Sequence, residues 1–183
     1  EDGRIRQLTD RAGPDGNPVP SPDGRLVAYQ GHDETDDTYT ENGLYVMGAD
    51  GSNPRRIAGE LGRGMGTVTW APDASGVYLN AAMRGNENVW FVPVDGGEPR
   101  PVTEGNHMLE FSTMDADGRF MVGVRETAHR PGDVVRFDVG AGAAEPTYLT
   151  DVNGDVLAGV ELGEVEEIWY ESVDGFQVQG WII

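Results

Sequence analysis

Four carboxylates within five positions form the densest group of residues in this sequence that could do chemistry. They are Asp33, Glu34, Asp36 and Asp37, in the segment 31–40. Calcium binds clusters of carboxylate and carbonyl oxygens, so the segment is a candidate loop for calcium or for a cationic ligand. Its spacing matches no calcium-loop template, and the alternative is a charged loop that is simply solvated. We expect no other metal site and no cofactor.

The serines and histidines lack the surroundings of a catalytic triad. A serine at a nucleophile elbow lies in Gly-x-Ser-x-Gly, and no serine of this chain has a glycine two positions before it. The serines are Ser21, Ser52, Ser75, Ser112 and Ser172, and the histidines are His32, His107 and His129. We interpret the histidines as structural or surface residues. The sequence therefore predicts no catalytic residue in this chain.

The elements that carry these residues follow a repeat, whose first copy reads Ser-Pro-Asp-Gly followed by an apolar run. The copies occupy 21–29, 71–79 and 115–122. Proline, aspartate and glycine favour a turn, and the apolar run behind them indicates a strand. The second copy is interpreted as one residue longer in its turn, and the third lacks the proline. Asp23, Asp73 and Asp117 are spaced by 50 and then 44 residues, a period typical of propeller blades.

Each repeat contains four strand signals. A second Asp-Gly turn, at 49–52 and again at 94–97, separates an apolar run from a short strand that closes on a small or hydroxyl residue. Four antiparallel strands per repeat make a propeller blade. We therefore predict an all-β fold, a partial β-propeller of about three four-stranded antiparallel blades within residues 1–150. The predicted parts are an orphan strand at 4–9, blades at about 17–58, 66–103 and 108–150, a connector at 151–164 and a hairpin at 165–183.

The composition excludes several classes of partner. The net charge is −19, and the 13 basic residues are all arginine, so we expect no nucleic acid, which needs a basic face. No run approaches the length of a membrane span, so no membrane partner is expected. The absence of cysteine excludes disulfides; we expect a cytoplasmic location, with a secreted or periplasmic one left open. The acidity fits either a GC-rich genome or adaptation to high salt.

The last part of the chain carries a family resemblance. Residues 165–172 and 176–183 alternate apolar and polar around an Asp-Gly turn, which is a strong hairpin signal. Residues 170–181 read Tyr-Glu-Ser-Val-Asp-Gly-Phe-Gln-Val-Gln-Gly-Trp. This segment resembles the propeller-to-hydrolase junction of the prolyl oligopeptidase family, in its acylaminoacyl-peptidase or dipeptidyl-peptidase-like branch. The repeats alone are less specific, because TolB-like propellers share them.

The resemblance implies that two domains of one protein have different roles. It makes this chain the non-catalytic propeller portion of a serine peptidase, which gates and positions peptide substrates for a hydrolase domain that lies outside the chain. Residues 165–183 are then the first, truncated hairpin of that domain. The implied partners are the hydrolase domain and peptide substrates, and we also expect self-association through open blade faces. The alternative is a stand-alone TolB-like propeller that binds a protein partner.

Overall fold

The computed structural model describes residues 3–58, 61, 64–140 and 145–183, and nearly all of its regular structure is strand. The strands are β1 (Asp15–Pro20), β2 (Leu26–Gly31), β3 (Gly43–Gly48), β4 (Arg55–Ala58), β5 (Thr69–Trp70), β6 (Gly76–Met83), β7 (Asn86–Pro93), β8 (Arg100–Pro101), β9 (Met108–Met114), β10 (Phe120–Thr127), β11 (Arg130–Asp138), β12 (Thr147–Tyr148), β13 (Glu166–Glu171) and β14 (Gln177–Ile182). The one helical turn among these described residues, α1 (Gly154–Leu157), lies in the connector. The predicted all-β class is confirmed.

The first twelve strands form three groups of four, in which each strand pairs antiparallel with the next. They are blade one (β1–β4), blade two (β5–β8) and blade three (β9–β12). Blades two and three are joined at one end, where Glu87 of β7 pairs parallel with Met108 of β9. The partial propeller of three four-stranded blades is therefore confirmed. The predicted blade boundaries, at about 17–58, 66–103 and 108–150, stay predictions. Residues 1–2 and 141–144 of the predicted propeller lie outside the described residues.

The three turns that begin the repeats have the same length. The amide N–H groups of Gly24, Ala74 and Gly118 each donate to the carbonyl three residues earlier, at 2.9 Å. All three residues have a positive φ, of 70°, 59° and 70°. The prediction of a longer second turn is wrong, because Ala74 takes the left-handed position that glycine holds in the other copies.

Replacing Ala74 with glycine is expected to stabilise the protein by about 1 kcal/mol, because only glycine adopts this backbone conformation without steric cost. Urea denaturation of Ala74→Gly would measure the change. Ala116→Gly is the matched control, because Ala116 lies in the third turn without a positive φ and should lose stability. If Ala74→Gly lost as much stability as Ala116→Gly, the prediction would be contradicted.

The core consists of two clusters that share the middle blade. Val77 and Leu79 of β6 pack with Leu44 of blade one. Tyr78, between them in sequence, packs with Leu109 of blade three. Successive residues of a strand point to opposite faces, so each face of blade two belongs to a different cluster. This two-sided burial explains why the apolar runs of the repeats do not alternate with polar residues.

The predictions for the two ends of the chain have different outcomes. Residues 4–9, predicted as an orphan strand, form no strand, because no strand among the described residues pairs with them. They lie against blade one instead, where Leu8 contacts Gly51 and Arg6 donates to the Asp50 carbonyl. The predicted hairpin is present as β13 and β14, paired from Glu166–Ile182 to Glu171–Gln177.

Candidate functional site

The fold separates its loops into two edges. The turns of the repeats lie at one end of each blade, and Gly118 of blade three contacts Pro72 of blade two there. In an antiparallel sheet the loop after the second strand must lie at the opposite end. That opposite end, the loop edge, consists of residues 32–42, 84–85 and 128–129 and the connection 104–107 between blades two and three. The acidic segment and all three histidines lie there.

Two buried amide side chains hold the blades beside one another. The Gln30 Nε2 of blade one donates to the carbonyl of Gly66, at 2.8 Å. The Asn80 side chain of blade two donates to the Leu109 carbonyl and accepts from the Phe111 N–H at 3.2 Å. Both amides come seven residues after the aspartate of their turn, so the same repeat position makes both links. They fix the spacing of the strands whose ends form the loop edge.

The terminal hairpin is seated on the loop edge. The Gln179 Nε2 of β14 donates to the Arg84 carbonyl between β6 and β7, at 2.8 Å. The His129 Nε2 lies 2.6 Å from the Gly163 carbonyl in the segment that leads into β13. The hairpin and the segment that leads into it therefore contact blade two and blade three at the same edge. Their position is set by the main-chain carbonyl of Arg84 in one loop and by the imidazole of His129 in another.

A cavity of about 520 Å³ lies between the hairpin and these two blades. Among its lining residues are Asn86, Asn106, His107, Met108, His129 and Trp181. The Trp181 ring lies against Gly85, where an added methyl group would come within 3.1 Å of the indole. The cavity thus combines apolar walls with a few amide and imidazole groups, a composition typical of ligand pockets.

His107 is the most deeply buried ionisable group of this cavity, with 3% of its surface exposed. Burial lowers its pKa, and the positive charge of Arg125 lowers it further. The Arg125 Nε donates to the His107 Nδ1 at 3.2 Å, and the same guanidinium lies 3.2 Å from a Glu145 carboxylate oxygen. His107 is therefore a neutral imidazole held in one orientation. The sequence predicted only a structural or surface role for it, and no spacing rule pairs it with Arg125.

A buried carboxylate, that of Asp133, links the end of blade three to the connector. The Asp133 side chain is 1% exposed and lies 2.9 Å from the Arg130 Nε. It also accepts hydrogen bonds from the Thr150 hydroxyl at 2.6 Å and the Val152 N–H at 2.9 Å. The Thr150 and Val152 hydrogen bonds, followed by Arg130, lower the Asp133 pKa below its usual range. The network fixes where the chain leaves blade three towards the hairpin.

This network is expected to make part of the stability depend on pH. Because the Asp133 pKa is lower in the folded state, its ionised form stabilises the fold above the usual value of 3.8, and this contribution is lost as the pH falls through the folded pKa. Asp133→Asn should lower the free energy of unfolding near neutral pH, and the gap to wild type should narrow below about pH 4. Chemical denaturation across that range would measure it; a gap that stays constant into acid would contradict it.

The four carboxylates of the candidate ligand loop are all exposed to solvent. Asp33 lies 3.6 Å from the Arg11 Nε, and the Glu34 N–H donates to the Ala12 carbonyl. Among the described residues, no group of three or more His, Asp or Glu side chains is placed to hold a metal ion. A ligand role for Asp33, Glu34, Asp36 and Asp37 stays a prediction.

A larger cavity, of about 680 Å³, lies over blade one between residues 7–11 and the rings of Tyr29 and Tyr45. Of the three arginines that line it, Arg11, Arg55 and Arg56, Arg11 forms an ion pair with Asp15 and lies 4.2 Å above the Tyr45 ring. The charge of Arg11 is thus compensated. Separately, the described part of the chain contains no helix long and apolar enough to cross a membrane.

The chain is similar in sequence to parts of longer peptidases. No protein-family model matches the chain. Over 184 aligned residues, 99% of the chain is similar, at 24% identity, to dipeptidyl-peptidase 5 of Porphyromonas gingivalis, of which it covers 26%. The uncharacterized peptidase YuxL of Bacillus subtilis is 24% identical over 62% of the chain, which covers 17% of that protein. The chain thus spans about a quarter or less of the curated relatives it matches.

Solved structures of two peptidases and of TolB share the fold of this chain. An acylaminoacyl peptidase of Pyrococcus horikoshii superposes with a TM-score of 0.73 and 22% identity, over 99% of this chain and 26% of the peptidase. The β-propeller domain of the Trilobed protease of Pyrococcus furiosus gives 0.61 and 26%, over 84% and 44%. TolB of Acinetobacter baumannii gives 0.60 and 18%, over 74% and 32%. The resemblance to the propeller region of prolyl oligopeptidase-family peptidases is confirmed.

Proposed function

We propose that this chain is the propeller portion of a prolyl oligopeptidase-like serine peptidase and that its loop edge gates and positions peptide substrates for a hydrolase domain of the same protein. The observation that carries the proposal is the seating of the hairpin β13–β14 on the loop edge, through Gln179 and Arg84. In the family that the chain resembles, this hairpin begins the hydrolase domain. A hairpin held there would place the hydrolase domain next to the loop edge, where the 520 Å³ cavity lies.

The alternative is a stand-alone binding module of the TolB kind, and the likeness to TolB supports the shared fold. The hairpin favours the peptidase, because a free-standing propeller has no need of a two-stranded sheet on its rim. Self-association through the open blade faces stays a prediction.

Labelling with a fluorophosphonate probe tests the assignment of the chemistry. The 183-residue chain should give no specific labelling, because none of its serines lies in a nucleophile elbow. The protein encoded by the complete gene should be labelled once, at a serine outside this chain. A specifically labelled serine within the chain, or a gene that encodes no Gly-x-Ser-x-Gly, would overturn the proposal.

Substrate positioning is tested on the same full-length protein with two matched glycine variants. Gly85 and Gly96 both have positive φ in turns, but only Gly85 faces Trp181, whereas an added methyl at Gly96 meets nothing within 4 Å. Gly85→Ala should shift the hairpin from its position on the loop edge. It should lower kcat/KM for a short peptide by roughly tenfold. Gly96→Ala should leave it unchanged. Gating further predicts that the same sequence inside a folded protein is not cleaved.

A further inference from the structure

Resting on the proposed function, we propose that the cavity at the loop edge is a peptide-binding subsite, in which the His107 Nε2–H donates to a backbone carbonyl of an extended peptide and Trp181 covers the neighbouring apolar side chain. The ligand is an internal, uncharged stretch of peptide.

The first support is the hydrogen-bonding state of His107. Because the Arg125 guanidinium can only donate, its contact with Nδ1 makes Nδ1 the acceptor. A neutral imidazole then carries its proton on Nε2, and this nitrogen is buried without a hydrogen-bond partner. Buried polar groups without partners are rare in folded proteins and call for an explanation. A ligand that brings an acceptor oxygen would satisfy this donor.

The second support is the cavity that His107 lines. The amides of Asn86 and Asn106 add polar groups beside the imidazole, while Met108 and Trp181 supply apolar wall. Its volume of about 520 Å³ lies within the range of pockets that bury small ligands, which favours a few residues of peptide. A backbone carbonyl flanked by an apolar side chain matches both kinds of lining group.

Charge decides between an internal carbonyl and a terminal carboxylate. The chain carries a net charge of −19, and Arg125, the cation beside His107, is already paired with Glu145. Glu126 also lines the cavity. An anionic ligand would meet this unfavourable field, whereas a neutral amide carbonyl would not.

The test titrates the 183-residue chain, labelled with ¹⁵N at histidine, with the capped peptide acetyl-Gly-Phe-Gly-amide. Before titration, NMR should show the tautomer with the proton on Nε2 of His107. The peptide should shift that Nε2 resonance and change tryptophan fluorescence with the same saturation curve. The free acid acetyl-Gly-Phe-Gly should bind at least threefold more weakly.

Variants separate the subsite from nonspecific binding. His107→Ala should weaken binding of the capped peptide by tenfold or more, and His107→Gln, which keeps a donor near the position of Nε2, should retain most of it. Trp181→Phe should remove the fluorescence response. Trp169→Phe is the matched control and should preserve the response, because Trp169 lies on the same hairpin, half exposed and bonded to Glu167.

Several results would overturn the subsite. These are an unperturbed Nε2 resonance at saturating peptide, equal affinity of His107→Ala and wild type, or a response carried by Trp169. If the His107 variants do not fold, the wild-type resonance and the two tryptophan variants still decide the question. Peptide binding to this chain does not require a hydrolase domain. A gene that encodes no hydrolase domain would therefore contradict the proposed function but not the peptide-binding subsite.

Discussion

Raising sodium chloride from about 0.05 M to 0.5 M should raise the melting temperature of this chain by roughly 10 °C. The chain has 32 acidic residues against 13 arginines and a net charge of −19, so folding brings many like charges together. Salt shortens the screening length from above to well below ~10 Å over this range, which weakens that repulsion. Thermal unfolding followed by circular dichroism would measure the shift.

The shape of the salt dependence separates screening from other salt effects. Screening should be nearly complete by about 0.5 M, because the Debye length is then only a few ångströms. A variant with Glu34→Gln, Asp36→Asn and Asp37→Asn removes three exposed charges and should respond less steeply. A melting temperature that stays flat with salt would favour a GC-rich genome as the origin of the acidity.

Asn80→Ala should lower the free energy of unfolding by about 3 kcal/mol, because it leaves two buried backbone groups without their partner. Asn80 is 2% exposed and joins blade two to the Leu109 carbonyl and the Phe111 N–H of blade three. Urea denaturation would measure the loss. The matched control is Asn153→Ala, because the Asn153 side chain makes no capping hydrogen bond, and this variant should change stability little. Losses of similar size in both would contradict the role of Asn80.

Strand and turn positions were predictable because they depend on short-range signals. The hydroxyl residues that close two of the repeats also have a structural reason. The hydroxyls of Thr103 and Thr150 accept a backbone N–H from β7 and β11 and donate to the side chains of Asn88 and Asp133. The sequence showed the recurrence of these residues, but their partners lie about 15 residues away and only strand pairing brings them together.

Three features were beyond sequence reasoning for different physical reasons. Ala74 holds a position that local chemistry assigns to glycine, and the surrounding turn imposes that conformation. Residues 4–9 have a strand-like composition, but a strand also needs a hydrogen-bonded neighbour. His107 becomes unusual only through its burial and its contact with Arg125, 18 residues away. The cavity it lines depends on how the blades and the hairpin are placed in space.

The central position of blade two affects the order in which parts of the protein unfold. Its two faces contribute to separate clusters, through Leu79 on one side and Tyr78 on the other. Blade two therefore cannot come apart without exposing both clusters, whereas the hairpin, with Tyr170 and Phe176 exposed, opens at little cost. In native-state hydrogen exchange, the β6 and β7 amides would exchange only through global unfolding, as the slowest foldon. The hairpin amides would exchange first, so the part that the proposal assigns to the hydrolase domain is also the part that depends most on a neighbour for its stability.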